Sequence, residues 1–209
     1  MVFPQPFTTT TPNIISYDYQ DISDGANMQI FYACAAVNSA GTTYFLTTET
    51  IEGGNVSAIS TSTQNHDYDF EFQIPRTIKG TAFLSASIGA NATAPTDRIM
   101  TVTATLYHWD GTTETSLSAT QTSAAFTITQ ATQASRRITF KIPITTEKHF
   151  KEGDSLRLTM ITATTQGSGQ YGYGHNPSGG LDDNEAAVNQ IIESTDSTKL
   201  MVHVPFKLE

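Results

Sequence analysis

Histidine, serine and carboxylate side chains could carry chemistry in this chain, but their spacing matches no catalytic motif. No two histidines lie at ligand spacing on a common element, and none adjoins a cysteine. No G-x-S-x-G turn is present to place a nucleophilic serine beside a base. The sequence therefore predicts no catalytic residues, no metal site, no cofactor and no enzymatic activity. The histidines are expected on the surface or in turns, at His66, His108, His149, His175 and His203.

The one cysteine, Cys34, cannot form an internal disulfide, so the chain lacks the disulfide framework of small secreted domains. Apolar residues surround it from Ile30 to Ala36. A cysteine in such a setting behaves as a small apolar side chain. We expect Cys34 to be a buried and unreactive thiol.

An acidic stretch, residues 180–185, concentrates the oxygen ligands that calcium prefers. It lacks the alternating aspartates and the distal glutamate of an EF-hand loop. A short helix predicted over residues 182–193 explains the stretch equally well, because carboxylates such as Asp182 and Asp183 stabilise a helix N-terminus. Calcium and an acidic helix cap both remain open for Asp182 to Glu185.

The most unusual stretch is residues 167–177, in which four glycines and an asparagine surround Tyr171, Tyr173 and His175. Its glycines permit tight backbone paths, and its rings could stack on a glycan or on a partner protein. The alternative interpretation is a loop that packs on itself. Tyr171, Tyr173 and His175 are the candidate residues of a binding loop.

The charge balance is acidic, with a formal net charge of −9 and a pI near 4.9. This balance argues against nucleic acid as a partner, because phosphate recognition needs clustered lysine and arginine. Only 15% of the residues are charged, against about 25% in a usual domain. Threonine supplies about one residue in six, and it suits the solvent face of a strand.

The chain start has neither the basic nor the apolar region of a signal peptide. No apolar run approaches the roughly 20 residues of a membrane helix. We therefore expect no membrane partner and synthesis in a cytoplasm.

The elements that position these residues are predicted to be strands. Residues 1–13 form an extended N-terminal arm, because Pro4, Pro6 and Pro12 exclude helix and central strand. Residues 14–209 form a single domain with apolar residues at every second position, which is typical of half-buried antiparallel strands. The predicted inward series are Tyr68, Phe70, Phe72, Ile74; Ala82, Leu84, Ala86, Ile88; Met100, Val102, Ala104, Leu106; Ile138, Phe140, Ile142, Ile144; Leu156, Leu158, Met160; and Leu200, Val202, Val204, Phe206.

Less regular strands are predicted around Met28 to Ala36, Thr42 to Thr50, Thr115 to Thr120 and Phe126 to Ile128. In the first of these strands, the candidate inward face consists of Met28, Ile30, Tyr32, Cys34 and Ala36, although the other face is also fairly apolar. Turns are expected at Asp110-Gly111 and Gly153-Asp154, and Pro143 indicates a sheet edge. Eight to ten short strands with frequent turns predict an all-β fold, an antiparallel β-sandwich that is jelly-roll-like.

Several C-terminal motifs carry a resemblance to a known class of protein. They are Ile142-Pro143, His149-Phe150-Lys151, Gly153-Asp154, Leu156-Arg157-Leu158-Thr159, Gly172-Tyr173-Gly174-His175-Asn176-Pro177 and Val202-His203-Val204-Pro205-Phe206-Lys207. Residues 138–207 resemble uncharacterised virion structural proteins of tailed bacterial and archaeal viruses. The resemblance implies a jelly-roll-like capsid accessory or decoration protein, commonly a homotrimer, and it carries no catalytic residues.

We therefore expect a virion protein, made in the host cytoplasm, that binds the major capsid protein or another virion protein as well as itself. Val2, Phe3 and Phe7 of the arm are the candidate partner contacts. A carbohydrate-binding β-sandwich is the alternative, with a glycan at the Tyr171 to His175 loop. A hydrolase on a β scaffold is a third, and fold alone does not choose among them.

Overall fold

The structure is a computed structural model that describes residues 28–38, 41–49, 64–174 and 200–207. Strand and turn are the regular structure of these residues, which contain no helix. The strands are β1 Met28–Asn38, β2 Gly41–Thr47, β3 Gln64–Glu71, β4 Arg76–Asn91, β5 Arg98–Trp109, β6 Glu114–Ser116, β7 Gln121–Thr122, β8 Phe126–Ile128, β9 Gln133–Phe150, β10 Ser155–Gln166, β11 Tyr171–Tyr173 and β12 Met201–Pro205.

All twelve strands belong to one curled sheet that forms a half-barrel, consistent with the predicted jelly-roll-like sandwich. Its order is β11-β4-β12-β1-β2-β3-β10-β5-β6, and β9 pairs with the other side of β4. β7 and β8 also pair with β5. The curl brings β9 near β5 and β7, so the two ends of the sheet approach each other. The apolar side chains inside this curl form the core.

The core confirms the period-two prediction for five of the six clean series. Alternate residues of β4, β5, β9, β10 and β12 are buried, from Ala82 to Ile88 and from Met100 to Leu106 for example. Long β4 and β9 pair along most of their lengths, with Leu84 opposite Phe140. Burying these apolar faces supplies the main stabilisation, at roughly 25 cal/mol for each Å² removed from water.

Ile74 departs from its predicted series, because 56% of its surface is exposed. β3 ends at Glu71, and the Phe72 carbonyl accepts a hydrogen bond from the Gly153 N–H while the Phe72 N–H donates to the Asp154 carbonyl. The chain then bends at Ile74 toward β4. The alternation in the sequence therefore continues to Ile74, three residues beyond the end of β3.

β1 buries the face opposite to the series named from the sequence. Phe31 and Ala33 join the core, whereas Met28, Ile30 and Tyr32 on the other face are only half-buried. Cys34 is buried, as predicted. Both faces of β1 are apolar, so periodicity alone did not identify the inner one.

The sheet also differs from the prediction in its pairing and in its number of strands. β2 and β3 meet in a parallel contact at Phe45 and Asp69, so the sheet is mixed and not purely antiparallel. The described residues form twelve strands in place of the predicted eight to ten, because β7 and β11, which are two and three residues long, were not predicted. Runs this short carry too few residues to show a period.

The turns follow their predicted chemistry. Gly111 and Gly153 both have φ of 87° and connect β5 to β6 and β9 to β10. The Asp110 carboxylate accepts hydrogen bonds from the N–H groups of Thr113 and Thr112, at 2.6 and 2.9 Å, and these bonds lower the pKa of Asp110. Pro143 lies in β9, which pairs only with β4 among the described strands, as expected of an edge strand.

Three predictions fall outside the described residues. They are the arm of residues 1–13 with Val2, Phe3 and Phe7, the helix over residues 182–193, and the calcium alternative at Asp182 to Glu185.

Candidate functional site

The predicted aromatic binding loop is in large part a piece of the core. Tyr171 and Tyr173 lie in β11, pair with β4 and are 0% and 1% exposed. The Tyr173 hydroxyl is hydrogen-bonded to Thr162 of β10, and burial raises the pKa of Tyr173. Two buried rings offer no stacking face to a glycan, which corrects that interpretation for these residues. His175 lies outside the described residues.

The glycines before these tyrosines do provide the predicted tight path. Gly169 has φ of 152°, and a side-chain Cβ there would lie 2.1 Å from the Asn91 carbonyl oxygen. The Asn91 side-chain oxygen accepts a hydrogen bond from the Gln170 N–H at 2.7 Å. The loop between β10 and β11 therefore packs directly against the end of β4.

Arg98 joins this loop to the sheet from inside the protein. It is 0% exposed, and Nη1 donates to the carbonyl oxygens of Gln170 and Asn91 at 2.8 and 3.3 Å. Nη2 and Nε donate to Thr164 Oγ1 at 3.0 and 3.3 Å, and the guanidinium carbon lies 5.6 Å from the Tyr171 ring centroid. Burial lowers the pKa of Arg98. Neutral oxygens and the face of an aromatic ring thus surround the guanidinium cation of Arg98. These contacts fix the loop between β10 and β11.

His66 lies in the same aromatic interior and is 1% exposed. Its ring centroid is 4.8 Å from that of Tyr44 and 5.7 Å from that of Tyr173, both in edge geometry. Neither of its ring nitrogens has a hydrogen-bond partner among the described residues. Burial lowers the pKa of His66, with Asp67 opposing the shift. The neutral imidazole is therefore the form that the fold accommodates.

A second buried histidine forms a dyad that sequence reasoning missed. His108 Nε2 lies 2.7 Å from Asp154 Oδ2, and the same oxygen accepts the Lys151 N–H at 2.8 Å. Desolvation raises the pKa of Asp154, but the hydrogen bonds from His108 and Lys151 outweigh it and the pKa is lowered. The pair is 46 residues apart in sequence, at the ends of β5 and β10, so only the strand pairing brings it together.

The dyad has two of the three groups of a catalytic triad, which are an imidazole base and the carboxylate that orients it. The second ring nitrogen of that imidazole, however, faces the protein interior. His108 Nδ1 is buried without a hydrogen-bond partner, and the imidazole packs edge-on against Phe150 at 4.8 Å between centroids. A general base must reach the proton it removes. Within the described residues this geometry supports a structural role, which is to fasten the β9–β10 turn to β5.

An ordered acidic and aromatic surface covers the outer side of β3, β10, β5 and β6. Arg157 donates to both carboxylate oxygens of Asp69, at 2.7 and 2.8 Å, and approaches Glu114 at 3.5 Å. Its guanidinium carbon lies 4.7 Å from the Trp109 ring centroid. These carboxylates raise the pKa of Arg157. We call the outer side chains of Asp67, Asp69, Glu71, Trp109, Glu114 and Arg157 the acidic surface.

The outer side of β4 and β9 has the opposite charge. Phe83 is 48% exposed and lies across from Lys141 in β9 and His203 in β12. Arg137 and Lys141 are exposed on the same side of β9. We call Phe83, Arg137 and Lys141 the basic surface. Sequence reasoning did not find this surface, because the pairing of β4 with β9 is needed to bring its residues together.

A cleft of about 190 Å³ marks the place where the two ends of the sheet approach each other. Hydroxyls from residues 115–118 and from Thr145 and Thr146 line it, with Glu147 and Lys148 at one side. Glu147 accepts a hydrogen bond from Lys207 Nζ at 3.2 Å, so its charge is engaged within the protein.

The described residues contain no group of three or more histidine, cysteine or carboxylate side chains placed to hold a metal ion. The same residues include no helix with the length and hydropathy needed to cross a membrane.

Comparison with solved structures finds a similar fold in an enzyme. Two crystal structures of a CocE/NonD family hydrolase from Staphylococcus aureus match 86% and 87% of this chain, with TM-scores of 0.50 and 0.51 and identities of 9% and 10%. This chain spans only 36% and 37% of the hydrolase chain. At such identity the similarity concerns the fold alone, and no activity follows from it.

Structures of infectious bursal disease virus match more weakly. The Gx strain matches 73% of this chain and 35% of the viral chain at 13% identity, and the T13 particle matches 96% and 56% at 12% identity. Both have a TM-score of 0.29, which establishes no shared fold. No protein-family model matches the chain, and neither does any curated protein.

Proposed function

We propose that this chain is a non-catalytic structural protein of a virion, which binds the capsid surface and stabilises the particle. The proposal rests on one observation, which is the position in the fold of the residues that carry the resemblance to virion structural proteins. Gly153 forms the β9–β10 turn with φ of 87°, and Asp154 fastens that turn to His108. Leu156 and Val202 are fully buried. The resemblance therefore rests on positions that determine the fold.

The buried polar groups of the described residues support a structural role as well. Arg98 binds backbone carbonyls, and His108 binds Asp154 against Phe150. A catalytic residue would instead need access to substrate. Arg98 and the His108–Asp154 pair therefore join a loop and a turn to the strands of the sheet.

The surface supports a role in binding other proteins. Beyond the acidic surface, β5 presents the partly exposed hydroxyls of Thr101 and Thr103 on its outer side. Surfaces with a low density of charge lose little solvation when another protein covers them. Protein surface is therefore a suitable partner for this outer side.

Mass spectrometry of purified particles tests the proposal, using particles of the virus or prophage that encodes the chain. We expect peptides of the chain in the particles at a copy number comparable to that of the major capsid protein. Particles without the chain should release their genome at a lower temperature, and added purified protein should reverse this. Absence from particles in cells that do produce the chain would contradict the proposal.

A hydrolase assay supplies an independent test of the non-catalytic part. Ester, amide and glycoside model substrates should show no turnover above the uncatalysed rate with the purified chain. Turnover that His108→Ala abolishes, in a variant with an unchanged circular dichroism spectrum, would show that the dyad is catalytic.

A further inference from the structure

The cations of this acidic protein are concentrated on two paired strands. Six of its 11 lysines and arginines lie on β4 and β9, which carry a single carboxylate, Glu147. They are Arg76, Lys79, Arg136, Arg137, Lys141 and Lys148. None of Arg76, Lys79, Lys141 and Lys148 has a carboxylate of the described residues within ion-pair distance. Two of the six cations, Arg137 and Lys141, lie on the outer side of β9, the side on which β4 exposes Phe83.

The acidic surface has the complementary composition. It presents four carboxylates around one cation, Arg157, together with the ring of Trp109. The strand register places Glu71, Ser155, Trp109 and Glu114 in one row, directly beside the row of Asp69 and Arg157. The bidentate ion pair holds this surface in a fixed geometry. The two surfaces therefore have opposite charge, and each includes an aromatic side chain, Trp109 on the acidic surface and Phe83 on the basic surface.

One molecule cannot bring its own two surfaces together. Three strands, β12, β1 and β2, separate β4 from β3 in the sheet. Each strand turns the sheet by about 20–25°, and the curl points the outer sides of its two halves away from each other. A second copy is therefore the partner that can present the acidic surface to the basic one.

We propose that copies of this chain associate head to tail, with the basic surface of one copy on the acidic surface of the next. Such a contact uses two different surfaces, so it closes into a ring when the rotation permits. The contact is between side chains and does not add a strand, because Pro143 and the cations of β9 block edge pairing. Self-association of the purified chain is independent of any role in a virion.

Sedimentation velocity of single charge reversals tests the contact. Lys141→Glu on the basic surface and Glu71→Lys on the acidic surface should each weaken self-association at least tenfold. Glu152→Lys, an exposed carboxylate in the β9–β10 turn, makes the same change in charge outside both surfaces and should leave association unchanged. Unchanged thermal unfolding should confirm that each variant is folded.

Mixing the two weakened variants separates this contact from every symmetric one. The Lys141→Glu chain keeps its acidic surface and the Glu71→Lys chain keeps its basic surface, so an equimolar mixture should form heterodimers. A contact of one surface with its own copy would gain nothing from mixing. Association of the unaltered chain should also weaken at least tenfold between 50 and 500 mM NaCl.

Three outcomes would overturn the proposal. The unaltered chain could be a monomer at 100 µM in 50 mM NaCl, or the mixture could stay monomeric while both variants remain folded. The third outcome is a monomer whose Lys141 region binds heparin or DNA, which would assign the basic surface to an anionic polymer.

Discussion

Arg98 is the largest side chain that the fold buries completely, and no carboxylate of the described residues pairs with it. Its donors satisfy the carbonyls of Asn91 and Gln170, which are only partly exposed. Removing a buried partner costs the desolvation of the groups left behind. We expect Arg98→Met, which keeps much of the volume, to lower the free energy of unfolding by about 2–4 kcal/mol.

Urea unfolding followed by tryptophan fluorescence measures this loss through Trp109. Arg136→Met is the matched control, because Arg136 is exposed and, among the described residues, bonds only the adjacent Ser135 carbonyl. The control should change the stability by less than about 0.5 kcal/mol. Equal effects of the two substitutions would refute the role given to Arg98.

His66 links the stability of the fold to pH. Its pKa is lower in the folded protein than in the unfolded chain, so the unfolded chain binds more protons as the pH falls. Stability contributed by neutral His66 is present above the unfolded pKa of about 6.5 and decreases as the pH falls below it. We expect His66→Phe to reduce the loss of stability between pH 7 and pH 5.

The difference between the unfolding free energies of the two proteins, measured at each pH, isolates His66 from the other histidines. Asp154 acts in a separate range. Its pKa is lowered by folding, so its stabilisation is present above about pH 4 and is lost at more acidic pH. Parallel curves for the two proteins between pH 7 and pH 5 would mean that His66 is not the titrating group.

Among the elements, β9 combines the inward series of Ile138, Phe140, Ile142 and Ile144 with an exposed, cationic outer face. Phe140 is 7% exposed, and Leu84 lies opposite it in β4. We expect Phe140→Ala to cost about 3–5 kcal/mol in urea unfolding. Thr139→Ala, next in the chain and exposed, is the control and should cost little. A loss below about 1 kcal/mol for Phe140→Ala would mean that the core is packed differently.

The packing of the loop between β10 and β11 against the end of β4 can be tested with glycine substitutions. Gly169→Ala would place a Cβ 2.1 Å from the Asn91 carbonyl oxygen, whereas Gly111→Ala at φ of 87° meets nothing within 4 Å. Both substitutions carry the cost of an unfavourable φ, about 1–2 kcal/mol. Thermal unfolding should therefore show a clearly larger loss for Gly169→Ala. Equal losses would show that the loop is free to move away from β4.

The strands were predictable where one face is apolar and the other polar, as in β5, where every inward residue from Met100 to Leu106 is fully buried. β1 shows the limit of that reasoning, since its two faces are equally apolar and pairing with β2 and β12 chooses between them. Tyr171 and Tyr173 show another limit. Glycine-rich sequence indicated a loop, but hydrogen bonds to β4 form a strand whose rings face the core.

The candidate surfaces could not be predicted, because each is assembled from distant segments. Arg157 and Asp69 are 88 residues apart in the sequence, and Phe83 meets Lys141 only through the pairing of β4 with β9. A formal net charge of −9 conceals this arrangement. At the scale of the whole molecule, the sheet order places the acidic surface and the basic surface on different strands.

The final prediction concerns the arm of residues 1–13, in which Val2, Phe3 and Phe7 lie among prolines. Prolines restrict the free chain and reduce the entropy lost when it docks. Every residue of the described core lies at or beyond Phe31, so deleting residues 2–11 should leave the urea midpoint unchanged. Cosedimentation with particles should be lost in this deletion and in the Phe3→Ser/Phe7→Ser variant. Thr8→Ser/Thr9→Ser, beside them in the same arm, should cosediment normally. If the deletion variant bound particles fully, the arm would not take part in the contact. If the deletion variant were unfolded, the arm would be part of the folded domain.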